Sequence, residues 1–141
     1  MINFFSETDF SLKNTEKFKC WIQNSIEKEG FKLGEINYIF CDDDYLQNLN
    51  LQYLNHDTLT DIISFDNTVD SIISGDIYIS IERVKENAQE FNTSFDDELS
   101  RVMIHGVLHF LGFGDKTEDE KREMRKKEDA ALEYFNRLHH K

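Results

Sequence analysis

Apolar residues recur along the chain at two spacings, which predict helices and strands in a mixed order. Steps of three and four residues over 14–28 predict an amphipathic helix that ends near Gly30, and strict alternation over 75–81 predicts a half-buried strand. The same reasoning predicts further strands over 1–5, 35–41 and 61–65. Further helices are expected over 42–54, 82–91, 94–111 and from 117 onward, the last with a stripe of Met124, Ala131, Phe135 and Leu138. The mixed order indicates an α+β or α/β domain.

The helix predicted over 94–111 is the most informative segment. From Val102 to Leu111 nearly every residue is apolar apart from His105 and His109, so this helix is expected to be buried on most sides. The two histidines are four residues apart and therefore lie on one face, one turn above the other. That spacing lets both imidazoles hold one metal ion, although a buried histidine can also be satisfied by core hydrogen bonds.

Glycines after the second histidine favour the metal interpretation. Gly112 and Gly114 end the helix and allow the chain to turn back, which would bring Asp115 to the two histidines. Two histidines on a helix and a third ligand after a glycine turn are typical of metzincin-like sites, which leave a position for water. The alternative for Asp115 is a capping role ahead of the next helix. A peptidase mechanism is not supported, because Gly106 stands where such enzymes carry a glutamate base.

Charge and composition narrow the classes of function. The 141 residues carry 16 Lys and Arg against 28 Asp and Glu, a net charge of −12 that argues against a basic nucleic-acid coat protein or a binder of anionic membranes. No internal repeat or linker is visible, so one domain over 1–141 is expected. Cys20 and Cys41 are expected to be free thiols, and the first residues lack the features of a signal peptide, which favours the cytoplasm.

Three segments resemble the YbeY family of bacterial rRNA maturation factors. The segment over 105–113, HGVLHFLGF, is similar to the family signature. Upstream, TDIISF over 60–65 and GDIYIS over 75–80 resemble two further family strands in the same order, and Leu49, Asn50 and Tyr53 match the preceding helix. The resemblance covers about residues 35–135. It implies a small mixed sheet of about four strands packed with about five helices, in the α+β class, with a metal-binding helix.

The resemblance also implies an activity and its components. It implies a zinc-dependent endoribonuclease that hydrolyses rRNA with a metal-bound water, with His105 and His109 as metal ligands, and with rRNA and ribosomal or assembly proteins as partners. DNA and membranes are not expected as partners, and no pattern predicts an oligomeric state. Two positions depart from the family: Asp115 replaces its usual third histidine ligand, and Leu54 replaces an arginine implicated in activity. A carboxylate can ligate zinc, but shifts the preference toward harder metals.

The sequence defines the residues for general acid–base catalysis and for RNA contact less well. Asp61 and Asp76 are candidates to hydrogen-bond a ligating histidine, or are turn and strand-end aspartates, and His56 is a candidate substitute for the missing arginine. Arg101 could contact phosphate or pair with Glu98 or Asp97. Lys116, Lys121 and Arg122 are the other basic residues expected near the site, so weak, salt-sensitive binding of free RNA is predicted. Two alternatives remain: a non-catalytic ribosome assembly factor with a structural metal, and a metal-dependent hydrolase of peptide or amide bonds.

Overall fold

One four-stranded sheet and five helices make up the described part of the chain. The computed structural model describes residues 1–54 and 60–139. The elements run in the order β1 (Ile2–Ser6), α1 (Thr15–Lys28), β2 (Lys32–Cys41), α2 (Asp43–Leu54), β3 (Ile62–Asp66), β4 (Ile72–Ser80), α3 (Ile81–Glu90), α4 (Phe95–Phe110) and α5 (Glu118–His139). The α+β prediction and the number of strands and helices are confirmed.

The sheet is mixed, with the strand order β1-β2-β4-β3. Strands β1, β2 and β4 are parallel to one another, and β3 lies antiparallel to β4 at the edge. The link from β3 to β4 is a tight turn in which Val69 and Ile72 exchange backbone hydrogen bonds of 3.2 and 3.0 Å. Asp70 in this turn has a φ of 56°, the left-handed conformation that such turns require.

Strands β2 and β4 begin earlier than the sequence predicts. Lys32 and Leu33 pair with Ile72 and Ile73 ahead of an irregularity in the ladder, so both strands extend into residues whose own pattern does not alternate. At its other end β4 stops at Ser80 rather than residue 81. The Ser80 hydroxyl accepts a hydrogen bond from the Arg83 amide and so caps α3.

The two faces of the sheet differ in burial. One face is covered by α1 and α4, and its alternate side chains are fully buried, including Ile36, Tyr38 and Phe40 on β2. The other face is covered only at one end, where α2 packs Leu46 against Cys41 and Ile63. On the rest of that face, Asn37, Ile39, Asp76 and Tyr78 are half-buried and Glu35 is exposed.

Helices α1 and α5 join through an aromatic cluster in the main core. The Trp21 ring stacks on Phe135 with centroids 4.2 Å apart, and its Nε1 donates a hydrogen bond of 2.9 Å to the Ala131 carbonyl. Phe18 meets both rings edge-on. These contacts fix the C-terminal half of α5, and the predicted apolar stripe of α5 faces the core.

Both cysteines are free thiols, as predicted from their number and spacing. Cys20 is exposed and Cys41 is buried, where burial and then nearby carboxylates raise the pKa of the Cys41 thiol to about 12. Among the described residues, none of the helices combines the length and the apolar character that crossing a bilayer requires.

Candidate metal centre

Helix α4 presents one narrow stripe to the surface. It begins after Ser94, whose hydroxyl accepts a hydrogen bond from the Asp97 amide. Between residues 101 and 110, the residues that are not buried are spaced by four: Arg101, His105 and His109. The apolar sequence around the histidines therefore packs inward against the sheet and α5, while both imidazoles remain accessible from one side.

The turn after α4 brings Asp115 back to this stripe. The Gly112 amide donates to the His109 carbonyl and the Phe113 amide to the Leu108 carbonyl, the hydrogen-bond pattern of a Schellman motif. Gly112 has a φ of 103°, which residues with a side chain rarely adopt. The predicted glycine turn is therefore present, and it reverses the chain so that the Asp115 carboxylate faces the histidines.

Three ligand atoms converge at this point. His105 Nε2 lies 3.0 Å from His109 Nε2, and Asp115 Oδ2 lies 3.3 and 3.2 Å from these two atoms. Ligands held tetrahedrally at about 2.0–2.1 Å from one ion are themselves about 3.3 Å apart. Two imidazole nitrogens and a carboxylate oxygen therefore fit one divalent cation, and all three groups are half-buried.

A buried carboxylate on α5 orients the first histidine. Glu128 Oε2 lies 2.6 Å from His105 Nδ1, and the Glu128 side chain is 7% exposed. An ionised carboxylate only accepts hydrogen bonds, so Nδ1 carries the proton and Nε2 directs its lone pair at the ligand cluster. This arrangement fixes the imidazole tautomer that a metal ion requires.

The electrostatics of the pair keep Glu128 ionised. Burial alone raises the pKa of Glu128, but hydrogen bonds from His105 and Arg101 outweigh burial and lower it. For His105, burial lowers the pKa, and the hydrogen bond and charge of Glu128, followed by the charges of Asp115 and Asp61, raise it above the ordinary value.

Arg101 has a structural role in this network. Its guanidinium lies 2.8 Å from Glu128 Oε1 and 2.8 Å from Asp129 Oδ1, so it spans from α4 to α5. The predicted pairing of Arg101 with Glu98 or Asp97 is therefore wrong, because its partners lie about 27 residues later, on α5. Arg125 Nη1 lies 3.7 Å from Glu128 Oε1, and its side chain is 63% exposed.

The other sequence-predicted residues lie at different places. Asp61 lines the same cleft as His105 and Asp115, but it accepts a hydrogen bond from Asn87. Glu128, and not Asp61, is therefore the carboxylate that orients His105. Asp76 accepts a hydrogen bond of 3.0 Å from Asn37 on the half-exposed face of the sheet. His56 falls outside the described residues.

Gly106 is explained by close packing of α4 against the sheet. A Cβ atom at this position would lie 3.0 Å from Ile77 Cδ1 and 3.1 Å from Ile62 Cδ1. The close approach of α4 to these two side chains therefore favours glycine at this position.

Glu128 is the site residue that the sequence analysis missed. A signal for it exists: Glu128 lies four residues after Met124 and three before Ala131, inside the apolar stripe of α5. A carboxylate on a buried stripe requires a buried partner, but the pattern of α5 alone does not identify that partner as His105.

We expect Glu128→Gln to weaken metal binding about 10–100-fold, because the amide no longer holds His105 Nδ1 through a charge-assisted hydrogen bond. Competition with a fluorescent chelator measures the change. Asp129→Asn is the matched control, since it removes the other carboxylate paired with Arg101 without touching a histidine. Equal metal affinity in wild type and Glu128→Gln would contradict the orienting role.

Comparisons with known proteins identify the family of this chain. Residues 2–136 match the family model described as "Endoribonuclease YbeY". Proteins of that name from Christiangramia forsetii and Flavobacterium johnsoniae are 58% and 55% identical, over 96% of this chain and 94% and 98% of theirs. The solution structure of TM1509 from Thermotoga maritima is similar, with a TM-score of 0.69 and 29% identity over 96% of this chain and 89% of that one. A match over nearly the whole chain, together with this ligand cluster, shows that the protein belongs to the YbeY family.

Proposed function

We propose that this protein is a metal-dependent endoribonuclease that cleaves ribosomal RNA during its maturation in the cytoplasm. The observation that carries the proposal is the convergence of His105, His109 and Asp115 in a chain whose relatives are named endoribonucleases. Zinc is the metal we propose, because imidazole nitrogens and a carboxylate in a three-ligand set are typical of catalytic zinc sites.

The ligand residues and Glu128 form the part of the site that would hold the ion. A divalent cation bound there would supply Lewis-acid polarisation of the phosphodiester and acidify water. Glu128 holds His105 in one tautomer, and the turn at Gly112 holds Asp115 against both imidazoles. The site is therefore pre-organised by hydrogen bonds within the protein.

Basic residues near the cleft would contact the RNA backbone. Arg125 lines the cleft with an exposed guanidinium, and Lys116 directly follows Asp115. Lys121 and Arg122 pair with acidic residues of their own helix, and Arg101 is held by Glu128 and Asp129. Because few basic side chains near the cleft are free to contact phosphates, we expect the protein to bind free RNA weakly and in a salt-sensitive way.

Asp61 is the described residue that we propose as a proton acceptor. It lies in the cleft with His105 and Asp115, and burial raises the pKa of its carboxylate, against the opposing effect of His105. A carboxylate with a raised pKa is a better base near neutral pH than an exposed one. Asp76, on the other face of the sheet, is not in this cleft.

The proposal is tested by incubating the protein with a labelled, structured fragment of precursor ribosomal RNA. We expect zinc-loaded protein to cut the fragment, chelated protein to cut it about 10²–10³-fold more slowly, and zinc to restore the rate. In the same assay Asp61→Asn should lower the rate about 100-fold at unchanged metal content.

Two outcomes distinguish the alternatives. A protein that retains stoichiometric metal and binds precursor ribosomal particles, yet never cuts RNA, would be an assembly factor with a structural metal. Metal-dependent cleavage of a peptide but not of RNA would indicate an amide hydrolase, a function that glycine in place of a glutamate base at residue 106 disfavours.

A further inference from the structure

The negative charge of this protein is concentrated in one part of the chain. Residues 33–82 contain ten Asp and Glu and neither Lys nor Arg, so they carry −10 of the net −12. This stretch includes β2, α2, β3 and β4. Arg83, the first basic residue after it, is paired with Asp43 and Glu86. The remaining residues, which include the metal ligands, are nearly neutral in sum.

Two carboxylates of this stretch, Glu35 on β2 and Asp76 on β4, lie on the half-exposed face of the sheet. Asn3, Asn37 and Asp76 lie side by side on β1, β2 and β4, joined by hydrogen bonds of 2.9 and 3.0 Å. Glu35 is exposed on β2, two residues before Asn37. The next row of the same face carries Phe5, Ile39 and Tyr78.

Aromatic rings lie beside these carboxylates. Tyr78 stacks on Tyr45 with centroids 6.3 Å apart and meets Phe65 edge-on at 5.9 Å, and Tyr53 meets Phe65 at 5.8 Å. Phe5, Tyr45 and Tyr53 are 52%, 39% and 61% exposed. Glu7 follows Phe5 on the same side of β1, because the Glu7 amide donates a hydrogen bond of 2.8 Å to the Phe40 carbonyl and so continues the pairing of β1 with β2.

We propose that this face, defined by Phe5, Glu7, Glu35, Asp76 and Tyr78, is a docking surface for an extended polypeptide segment rich in Lys and Arg. Carboxylates attract the cationic heads by charge complementarity, and exposed rings bind them by cation–π contact and cover their methylene stems. The surface is on the opposite side of the sheet from α4, so a segment docked there leaves the metal cleft open.

Other occupants fit this surface less well. RNA would bring phosphates against carboxylates with no basic residue in the surrounding stretch, and an anionic membrane would be repelled in the same way. A second copy meeting this face through a two-fold axis would oppose the same carboxylates to each other. Charge therefore selects a basic polypeptide.

A labelled basic peptide tests the proposal. The probe is a fluorescein-labelled twelve-residue peptide of four Arg-Lys-Ala repeats, and the control peptide carries Glu in place of Arg and Lys. We expect the basic peptide to raise fluorescence anisotropy on binding, to bind more weakly as salt rises, and to shift backbone amide signals of 35–39 and 76–78 in ¹⁵N-labelled protein.

Two charge-reversal variants have the same net charge and differ only in location. Glu7→Lys/Glu35→Lys should weaken peptide binding at least about tenfold. Glu16→Lys/Glu27→Lys, on α1 at the other face, should leave binding within about twofold of wild type. Phe5→Ala should weaken it about two- to fivefold through the lost cation–π contact.

Three results would overturn the proposal: equal weakening by both double variants, amide shifts confined to α4 and α5, or tighter binding of an RNA oligonucleotide than of the basic peptide to the same amides. Because neither Glu7 nor Glu35 lines the metal cleft, RNA cleavage measured without peptide reports separately on the proposed nuclease activity.

Discussion

His109→Ala is expected to weaken zinc binding about a thousandfold or more and to reduce RNA cleavage to the level of the chelated protein. Its Nε2 lies 3.0 Å from His105 Nε2 and 3.2 Å from Asp115 Oδ2, so its removal leaves two ligands where catalytic zinc sites use three. This effect should exceed that of Glu128→Gln, which leaves all three ligands in place. Isothermal titration with zinc and the RNA cleavage assay measure the two quantities.

A fold control accompanies the metal measurement. The His109 side chain is 31% exposed, so its removal should change the thermal unfolding midpoint in chelator by only a few degrees. Asp115→His restores the family's usual third ligand, and it should bind zinc at least as tightly as wild type because imidazole replaces a harder carboxylate. Full zinc affinity in His109→Ala would refute the proposed ligand set.

Trp21→Ala is expected to produce the largest loss of stability, about 3–5 kcal/mol. The ring is fully buried, stacks on Phe135 at 4.2 Å and donates to the Ala131 carbonyl. Its removal leaves a cavity between α1 and α5 and removes a hydrogen bond to the helix that carries Glu128. Urea unfolding followed by circular dichroism measures the change. Tryptophan fluorescence cannot be used for this variant, because Trp21 is the only tryptophan.

One further variant separates the aromatic contact of Trp21 from its hydrogen bond, and another serves as an exposed control. Trp21→Phe keeps an aromatic ring against Phe135 but loses the hydrogen bond and part of the volume, so we expect about 1–2 kcal/mol. Leu51→Ala, at an exposed position on α2, should change the unfolding free energy by less than about 0.5 kcal/mol. A loss below 1 kcal/mol for Trp21→Ala would show that the α1–α5 contact does not stabilise the fold.

Much of the local structure could be predicted because its causes are local. The spacing of Phe18, Trp21 and Ile22 predicted α1 to within a residue, and the alternation around Ile77 predicted β4 over most of its length. The strand starts at Lys32 and Ile72 could not be predicted, because they depend on pairing between segments 40 residues apart. Arg101 was assigned wrong partners for the same reason: its carboxylates are on another helix.

The sequence by itself determined that the three proposed metal ligands meet, because helical periodicity puts His105 and His109 on one face and the turn at Gly112 returns Asp115 within six residues. Only the tertiary structure decided which residue orients His105 and which face of the sheet stays uncovered. The packing of α5 on α4 sets Glu128 against His105 across 23 residues. The covering of one sheet face by α1 and α4 leaves the acidic face open, since contacts between elements depend on packing that no local pattern encodes.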